Sequence, residues 1–354
     1  HVATDAVITD ASGYVGNFVT RVKSDRGLQE IRHRAVVLAV GAAEYKPTEY
    51  LYGEDDRVLT NLELEERIAG RDEALLSSGS VAMIQCVGCR NEDRNYCSRI
   101  CCSHSIKNAL ELKELRPEMD IHVFYRDMMT YGPAEDYYRE VSEKDVKFIR
   151  YEPQDCPRVE VVAEDGRSVL RITANDPVLR EALAINADVL SLAAAVVPSE
   201  GVQDVSKLFK VALSPEGFFQ EAHVKLRPVD FAADGVFLCG TAHYPKHIPE
   251  AISQAYGAAG RAAVLLSQDS VTASGSVCDV HENMCIACGA CASACTYGAI
   301  RLEDTRQGQK AKVIPVLCKG CGLCNSKCPT GAIFLKHYID AEIEAQILAA
   351  LANH

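Results

Sequence analysis

The sequence predicts an α/β protein that carries a small, cysteine-rich α+β domain near its C-terminal end. Two short apolar strands end in glycine, at Gly41 and Gly240, and a helix of small residues follows the second. A third apolar strand, over 81–85, also precedes a helix, and such alternation favours an α/β sheet. The run from Cys285 to Ile333 reads C-x-x-C-G-x-C-x-S-x-C-x-x-G-A-I twice, so it forms a separate unit with an internal repeat.

Length and composition indicate an ordinary multidomain globular protein. The chain has 354 residues, enough for two or three domains. Its net charge of −12 disfavours nucleic acid and anionic membrane surfaces as partners. The longest apolar run, 189–197, is too short to span a membrane and is predicted as one buried strand. The sequence opens without Met and apparently in mid-domain, so we expect an upstream part on another chain or cut away.

The 16 cysteines fall mostly into two groups. Eight belong to the repeat and five lie between Cys86 and Cys102, whereas Cys156, Cys239 and Cys278 lie outside both groups. A disulfide framework is typical of small secreted proteins rather than of a chain this long. Clustering of this kind indicates metal binding in a reducing, anaerobic cytoplasm.

Each cysteine run of the repeat resembles that of the bacterial two-cluster ferredoxins, in which the fourth cysteine of each run ligates the other cluster. The resemblance implies one [4Fe–4S] cubane on Cys285, Cys288, Cys291 and Cys328, and a second on Cys318, Cys321, Cys324 and Cys295. Pro329 ends the second run as in the family, and Thr296 departs from it in the first. Zinc is the alternative, but two runs of four cysteines with apolar neighbours favour cubanes.

The glycine-ended strands resemble those of the two-dinucleotide-domain flavoproteins, the thioredoxin reductase and glutathione reductase group. A generic strand–helix unit is the alternative, and Val40 stands where the family has Thr. The helix after Gly240 would point its N-terminus at the flavin, where its dipole favours a reduced anion. The resemblance implies FAD contacts from Gly41, Gly240, Thr241, Ala242, His243, Lys246, His247, Ile248 and Gln254. Of these, Lys246 is the residue we expect to tune the flavin ring and to take the catalytic role.

A cysteine-rich segment, 86–102, stands where the flavoprotein group has its second phosphate-binding loop. No G-x-G-x-x-G follows the strand over 81–85. Cys101 and Cys102 precede a helix over 106–115, whose N-terminus favours thiolates and an anionic cluster. We expect a third [4Fe–4S] cluster on Cys86, Cys97, Cys101 and Cys102, with Cys89 as a fifth candidate ligand. Zinc and a redox-active Cys86/Cys89 thiol pair stay open as alternatives.

The pattern C-V-G-x-R…Y-C-S-R-x-C-C over 86–102 resembles that of the A subunit of the heterodisulfide reductases, the flavin and iron–sulfur subunit of methanogens. That family commonly has Ser at the position of Cys89, so Cys89 is the extra cysteine. The resemblance covers nearly the whole chain. It implies an electron-transfer subunit of a large cytoplasmic complex.

In such a complex, FAD would split electron pairs between a disulfide-reducing subunit and soluble ferredoxin, with a hydrogenase- or formate dehydrogenase-type donor. The family cleaves the heterodisulfide on a separate subunit with C-C-G motifs, and this sequence has none. Two alternatives stay open. One is an NAD(P)H-dependent oxidoreductase like the small subunit of glutamate synthase, and the other is an electron-conducting module without flavin turnover.

The expected domain order follows from these patterns. Residues 1–78 and 199–270 would form an FAD-binding domain that lacks its N-terminal strand and G-x-G-x-x-G loop. A second dinucleotide-type domain would be inserted over 79–198, with a hairpin turning at Asp165-Gly166. The two-cluster domain would span 271–338. A last helix, over 339–354, has an apolar stripe of Ile339, Ile343, Ile347 and Leu351, and would pack on its own domain or dock a partner.

Overall fold

The computed structural model describes residues 1–164, 166–178, 180–272 and 275–352. The chain begins with strands β1 (Val7–Tyr14), β2 (Asn17–Ser24), β3 (Gly27–His33), β4 (Val36–Leu38) and β5 (Ala42–Glu44). The first three pair antiparallel in chain order. β4 and β5 leave this sheet and pair elsewhere.

A parallel sheet forms the second region of the chain. Its elements are β6 (Val58–Thr60), α1 (Asn61–Ala69), α2 (Glu73–Ser77), β7 (Ser80–Val87), α3 (Cys101–Leu115), β8 (Asp120–Tyr125), α4 (Ala134–Glu143), β9 (Lys147–Arg150), β10 (Arg158–Glu164), β11 (Arg167–Asp176), β12 (Glu181–Ala187) and β13 (Val189–Ala194). Strands β6, β13, β7, β8 and β9 lie side by side in that order, all parallel, and β10, β11 and β12 form a separate antiparallel sheet. The predicted α/β class is confirmed.

Two apolar cores enclose the parallel sheet. On one face the sheet packs against α1, α3 and α4 through residues such as Leu64, Ile106 and Val141. On the other face it packs against the β10–β12 sheet through Leu170 and Ile172. Because both faces are covered, the central strands β7 and β13 are apolar almost throughout.

The hairpin of β10 and β11 forms as predicted, with Glu164 paired to Arg167. Gly166 has a positive φ of 75°, which glycine adopts readily. The other predicted turn residue, Asp165, lies outside the described residues.

The prediction of one strand over 189–197 is wrong. β13 ends at Ala194, and a new strand, β14 (Val196–Pro198), pairs antiparallel with β5. Ala195 joins them: its N–H donates to the Val87 carbonyl at 2.9 Å, and its own carbonyl accepts from the Tyr45 N–H at 2.8 Å. The apolar run is therefore continuous in sequence but passes from one sheet to another.

The chain then returns to the first region through α5 (Val202–Phe209), β15 (Val236–Leu238), a 3-10 turn over Gly240–Ala242 and α6 (Ile248–Leu266). β15 runs parallel to β4, with Val236 paired to Val36. This pairing places the ends of β4 and β15, which Gly41 and Gly240 closely follow, side by side. The helix α6 begins with Pro in its first turn, a position where the missing N–H of proline costs nothing.

The cysteine-rich domain comprises β16 (Cys278–Val280), α7 (Ala290–Ala294), β17 (Ile300–Thr305), β18 (Gly308–Val313), α8 (Leu323–Lys327) and β19 (Ile333–Leu335). β16 pairs with β19 and β17 with β18, both antiparallel. The short helices α7 and α8 begin after Gly289 and Gly322, whose φ values of 76° and 74° are left-handed. The repeat seen in the sequence is thus a repeat of structure.

Side chains hold this domain against the α/β part. Lys319 pairs with the carboxylate of Asp234, and Lys210 Nζ donates to the Tyr297 carbonyl at 3.5 Å. Lys319 lies in the second cysteine run, and Tyr297 follows the last cysteine of the first run.

The C-terminal helix α9 (Asp340–Ala352) forms, and Ile343, Ile347 and Leu351 of the predicted apolar stripe are exposed. The last two residues of the predicted helix, 353–354, lie outside the described residues. Within the described parts of the chain, no helix is long and apolar enough to cross a membrane.

Candidate functional site

Four cysteines line one cavity of the cysteine-rich domain. They are Cys285, Cys288, Cys291 and Cys328. Apolar side chains complete the lining, among them Val280, Leu302 and Ile333. Three of the thiols come from the first run and one from the end of the second, which is the crossed arrangement that the ferredoxin resemblance implies.

A second cavity contains the other four cysteines of the repeat. They are Cys295, Cys318, Cys321 and Cys324. Cys278, which stands outside the repeat, lines this cavity as well. The structure therefore brings both predicted sets of four together, each around its own space.

Backbone N–H groups point at the thiols in both cavities. The N–H groups of Ala311 and Cys278 donate to Cys285 Sγ and Cys318 Sγ, each at 3.4 Å. The N–H groups of Ala299 and Ala332 donate to the fourth cysteine of each run, Cys295 and Cys328, at 3.3 and 3.2 Å. Such N–H···S bonds stabilise the anionic thiolates that an iron–sulfur cluster needs.

The thiols do not converge on a single point. Among the described residues, no three His, Cys, Asp or Glu side chains lie close enough together to hold one metal ion. A Zn²⁺ ion binds four ligands at about 2.3 Å from sulfur, whereas a cubane carries its iron atoms at separate corners. Four cysteines around each cavity also match the ligand count of one cubane.

The five cysteines of segment 86–102 lie at the carboxyl end of the parallel sheet. Cys86 is near the end of strand β7, and Cys101 and Cys102 begin helix α3. Ala195 packs against Cys86 and Cys89, whereas Ala193 packs against Cys101 and Cys102. Ligands of α/β sheets bind at this edge, so the thiols occupy the place where such a sheet binds its ligand.

Cations and hydrogen-bond donors surround these thiols. The Arg90 guanidinium lies 3.8 Å from Cys86 Sγ and pairs with Asp127. The Arg99 N–H donates to Cys97 Sγ at 3.3 Å. A hydrogen bond from the Cys86 side chain lowers the pKa of Cys89, against the opposing effect of burial. This direction favours the thiolate form that ligates a metal centre.

Gly88 lets the cysteine segment lie close to β5. Its φ of 75° is left-handed, and a Cβ at this position would be 2.1 Å from the Tyr45 ring. No side chain fits there unless the ring moves. The glycine within C-V-G-C is thus required by packing.

The predicted flavin contacts lie where β4 and β15 end. A Cβ on Gly41 would be 4.0 Å from the Thr241 side chain, so the two strand ends meet. Nothing lies within 4 Å of the corresponding position on Gly240. Thr241 and Ala242 form the 3-10 turn after it. These residues leave an open backbone surface that could approach a cofactor closely.

Lys246 is 9% exposed, and its Nζ donates to the carbonyls of Gly240 at 2.7 Å and Tyr244 at 2.9 Å. Burial lowers the pKa of Lys246 to about 8, with Arg99 acting in the same direction and Glu250 opposing. An ammonium has three N–H donors, so one remains for an anionic partner. The ammonium titrates in the physiological range, as a group that tunes a cofactor would.

The two predicted histidines have different surroundings. His243 contacts the Gln254 side chain at 2.7 Å and a Glu221 carboxyl oxygen at 2.6 Å. Burial lowers the pKa of His243 to about 4, so its ring is neutral at pH 7. His247 caps α6 together with Glu250, and Ile248 is 76% exposed.

The buried Gln254 Oε1 accepts no hydrogen bond within the described structure. A buried amide oxygen without a donor is costly. A ring N–H of a bound flavin would satisfy it, so the donors and the open backbone around Gly240 fit this cofactor.

Arg99 connects the cysteine segment to the predicted flavin loop, although it was not among the predicted site residues. Its guanidinium donates to the Pro245 carbonyl at 3.3 Å and to Glu250 at 2.6 Å, while its own N–H donates to Cys97. The only signal in the sequence is an arginine placed between cysteines, in C-S-R-I-C-C. Tyr131, to which no role was assigned, accepts another bond from Arg99 at 2.5 Å.

Known proteins resemble this chain both in its cysteine-rich domain and over most of its length. The family model of a 4Fe-4S dicluster domain matches residues 284–332. The iron–sulfur A subunit of the CoB–CoM heterodisulfide reductase of Methanocaldococcus jannaschii is 36% identical over 94% of this chain and 53% of that protein. A counterpart from Methanopyrus kandleri, numbered A 2, is 37% identical over 76% of this chain and 42% of that protein.

This chain is similar to heterodisulfide reductase A subunits over most of its length. It spans about half the length of the curated relatives it matches. Among solved structures, a thioredoxin reductase from Lactococcus lactis is 16% identical over 74% of each chain, with a TM-score of 0.47. The dicluster match, together with the two four-cysteine cavities, gives this chain two [4Fe–4S] clusters in its C-terminal domain.

Proposed function

We propose that this chain is the FAD- and iron–sulfur-dependent electron-transfer component of a heterodisulfide reductase-like complex of the cytoplasm. Its partners would be a hydrogenase- or formate dehydrogenase-type donor, a disulfide-reducing subunit and soluble ferredoxin. FAD would exchange electron pairs at the Gly41 and Gly240 strand ends. The clusters would carry single electrons, and Lys246 would stabilise the reduced flavin.

The position of the 86–102 cysteines supports this proposal most directly. They occupy the carboxyl end of β7, and Arg99 links them to the loop that carries Lys246. We infer that Cys86, Cys97, Cys101 and Cys102 hold a third [4Fe–4S] cluster next to the flavin. An electron would then pass between flavin and cluster where the flavoprotein group has its nicotinamide site.

The proposal also includes the splitting of electron pairs from FAD between two acceptors. The homologous A subunit from Methanothermobacter marburgensis, 36% identical over 80% of this chain, is named for an H₂:CoB–CoM heterodisulfide,ferredoxin reductase. That name lists a heterodisulfide and ferredoxin together. We propose that electrons are divided between two such acceptors here. Each two-electron oxidation of FAD would send one electron toward a disulfide and one toward ferredoxin, and two such turnovers would supply the two electrons that cleave one disulfide.

Anaerobic reduction experiments test the function. After reconstitution with FAD, iron and sulfide, three cubanes should give about 12 iron atoms per chain. Dithionite should bleach the flavin absorbance, whereas NADH and NADPH should leave it unchanged. Rapid, stoichiometric bleaching by either nucleotide would contradict the proposal and favour a pyridine-nucleotide oxidoreductase instead.

A further inference from the structure

The two halves of the dicluster domain follow the same plan around their cavities. In each half, one strand residue donates its N–H to the first cysteine of a run at 3.4 Å. That residue is Ala311 on β18 for the first cavity and Cys278 on β16 for the second. Both are buried, at 1% and 3% exposure. The two halves therefore differ in side chain at this matched position. The first cavity has the methyl group of Ala311 there, and the second has the thiol of Cys278.

The thiol of Cys278 reaches a cysteine of the second cavity. Its Sγ lies 3.3 Å from Cys324 Sγ, within hydrogen-bonding distance for sulfur. A cysteine that ligates a cluster is a thiolate and has no proton to donate. With the cluster bound, the hydrogen between the two sulfurs must come from Cys278.

Hydrogen bonds to cluster sulfurs stabilise the reduced state. When a [4Fe–4S] cluster accepts an electron, the added negative charge is shared with its sulfur ligands. A donor to one of those sulfurs interacts more strongly with the reduced than with the oxidised form, which raises the reduction potential. The first cavity has the same backbone donors but no thiol at Ala311.

We propose that Cys278 is a positioning residue whose S–H···S bond to Cys324 raises the reduction potential of the cluster in the second cavity above that of the cluster in the first. The inference rests on the two-cluster domain. The consequence of this difference in potential for electron flow also rests on the proposed function.

The position of the second cavity gives this asymmetry a direction. Lys319 and Tyr297 line that cavity and also contact the α/β part, through Asp234 and Lys210. The first cavity is lined by Ile286, which is 64% exposed. An electron that arrives at the outer cluster would thus move to the inner cluster at higher potential, next to the proposed flavin domain.

Substitutions at the matched positions test the inference in the full-length, reconstituted protein. Redox titration followed by EPR would give the midpoint potential of each cluster. Cys278→Ala should shift the one-electron reduction equilibrium of one cluster about threefold toward the oxidised form, as expected for a weak hydrogen bond. At 59 mV per tenfold, that is about 28 mV. Iron content and the other cluster should not change.

Three further variants sharpen the result. Ala311→Cys should raise the potential of the other cluster, and the double variant Cys278→Ala/Ala311→Cys should exchange the order of the two. Cys278→Ser keeps a donor, so its potential should stay at or above that of the wild type. A purely structural role of Cys278 would produce none of these shifts.

Two outcomes would overturn the inference. Unchanged midpoints in Cys278→Ala would show that the thiol does not act on the cluster. Loss of about four iron atoms would show that Cys278 is itself a ligand or is needed for folding. Flavin content is measured in the same samples, because absence of FAD would count against the proposed function while the cluster potentials still decide the role of Cys278.

Discussion

The protein gathers cysteines in two different ways. In the dicluster domain, each cavity takes three thiols from one short run and one from the other run, so local spacing sets three of its four thiols. In segment 86–102, the thiols come from the end of β7, the following loop and the start of α3, and β13 packs beneath them. In the dicluster domain, the short cysteine runs themselves position the thiols. In segment 86–102, the surrounding parallel sheet positions them.

The two kinds of site also differ in burial. Cys288 and Cys321 of the repeat are exposed, whereas Cys89 and Cys102 are each 1% exposed. A cluster near the surface can exchange electrons with a partner protein. A centre buried at a sheet edge is placed to exchange them with another cofactor inside the same chain.

Loss of a ligand in the repeat is the largest expected effect. Cys291→Ala should remove the cluster of the first cavity, about four of about 12 iron atoms, because the three other thiols cannot complete it. Cys324→Ala is the matched variant for the second cavity. Iron and sulfide analysis with EPR of the reduced protein measures both. An unchanged spectrum in Cys291→Ala would disprove the ligand set.

A backbone change should damage the other site while sparing the repeat. Gly88→Ala places a Cβ 2.1 Å from the Tyr45 ring at a φ of 75°, and should cost roughly 1–3 kcal/mol of folding free energy. The cluster of segment 86–102 should be lost and the two ferredoxin clusters retained.

Gly132→Ala is the control for that experiment. Gly132 also has a positive φ, 61°, but nothing lies within 4 Å of its Cβ position. It carries the backbone strain without the clash. Thermal unfolding and iron content of the two variants separate strain from packing, and equal effects would argue against a role for the contact with Tyr45.

Single thiol replacements distinguish ligands from the extra cysteine. With Cys86, Cys97, Cys101 and Cys102 as ligands, Cys97→Ser should lower the iron content from about 12 to about 8 atoms per chain. Cys89→Ser should keep the iron, because its thiol is the fifth. If Cys89→Ser loses iron and Cys97→Ser does not, Cys89 replaces Cys97 in the set.

The sequence predicted more of the dicluster domain than of segment 86–102. The reason is that the two sites depend on local structure to different extents. The resemblance of each run to those of the two-cluster ferredoxins implied the two sets of four cysteines, and the structure gathers these sets around two cavities. A local sequence pattern was enough to place Cys101 and Cys102 at a helix N-terminus. Three of the four thiols in each set are close in sequence, so most of this part depends on local structure.

Features that depend on distant contacts were missed. The bonds of Arg99 to Pro245 and Glu250 join residues about 150 positions apart, and no local pattern marks them. Cys278 lies before its repeat, so only the pairing of β16 with β19 reveals it beside Cys324. The break at Ala195 was missed because an apolar run does not show which sheet a residue joins.

The smallest predicted effect concerns Lys246. A helix N-terminus contributes about 0.3–2 kcal/mol toward an anion, and 1.4 kcal/mol corresponds to about 30 mV for a two-electron couple. A charged Lys246 beside the flavin should therefore raise its midpoint by tens of millivolts, and Lys246→Ala should lower it while leaving the iron content unchanged. Lys225→Ala, an exposed lysine of the same region, serves as the control.

The effect of Lys246 should depend on pH in a direction that its environment fixes. Because burial lowers its pKa to about 8, the ammonium is charged and can stabilise a reduced anionic flavin below pH 8. Above that pH it becomes a neutral amine, and its electrostatic contribution is lost. The gap in midpoint between wild type and Lys246→Ala should then be widest near pH 6–7 and close as the pH rises past about 8. A gap that stays constant from pH 6 to 10 would show that Lys246 acts through packing and not through its charge, and equal midpoints at every pH would remove it from the flavin site.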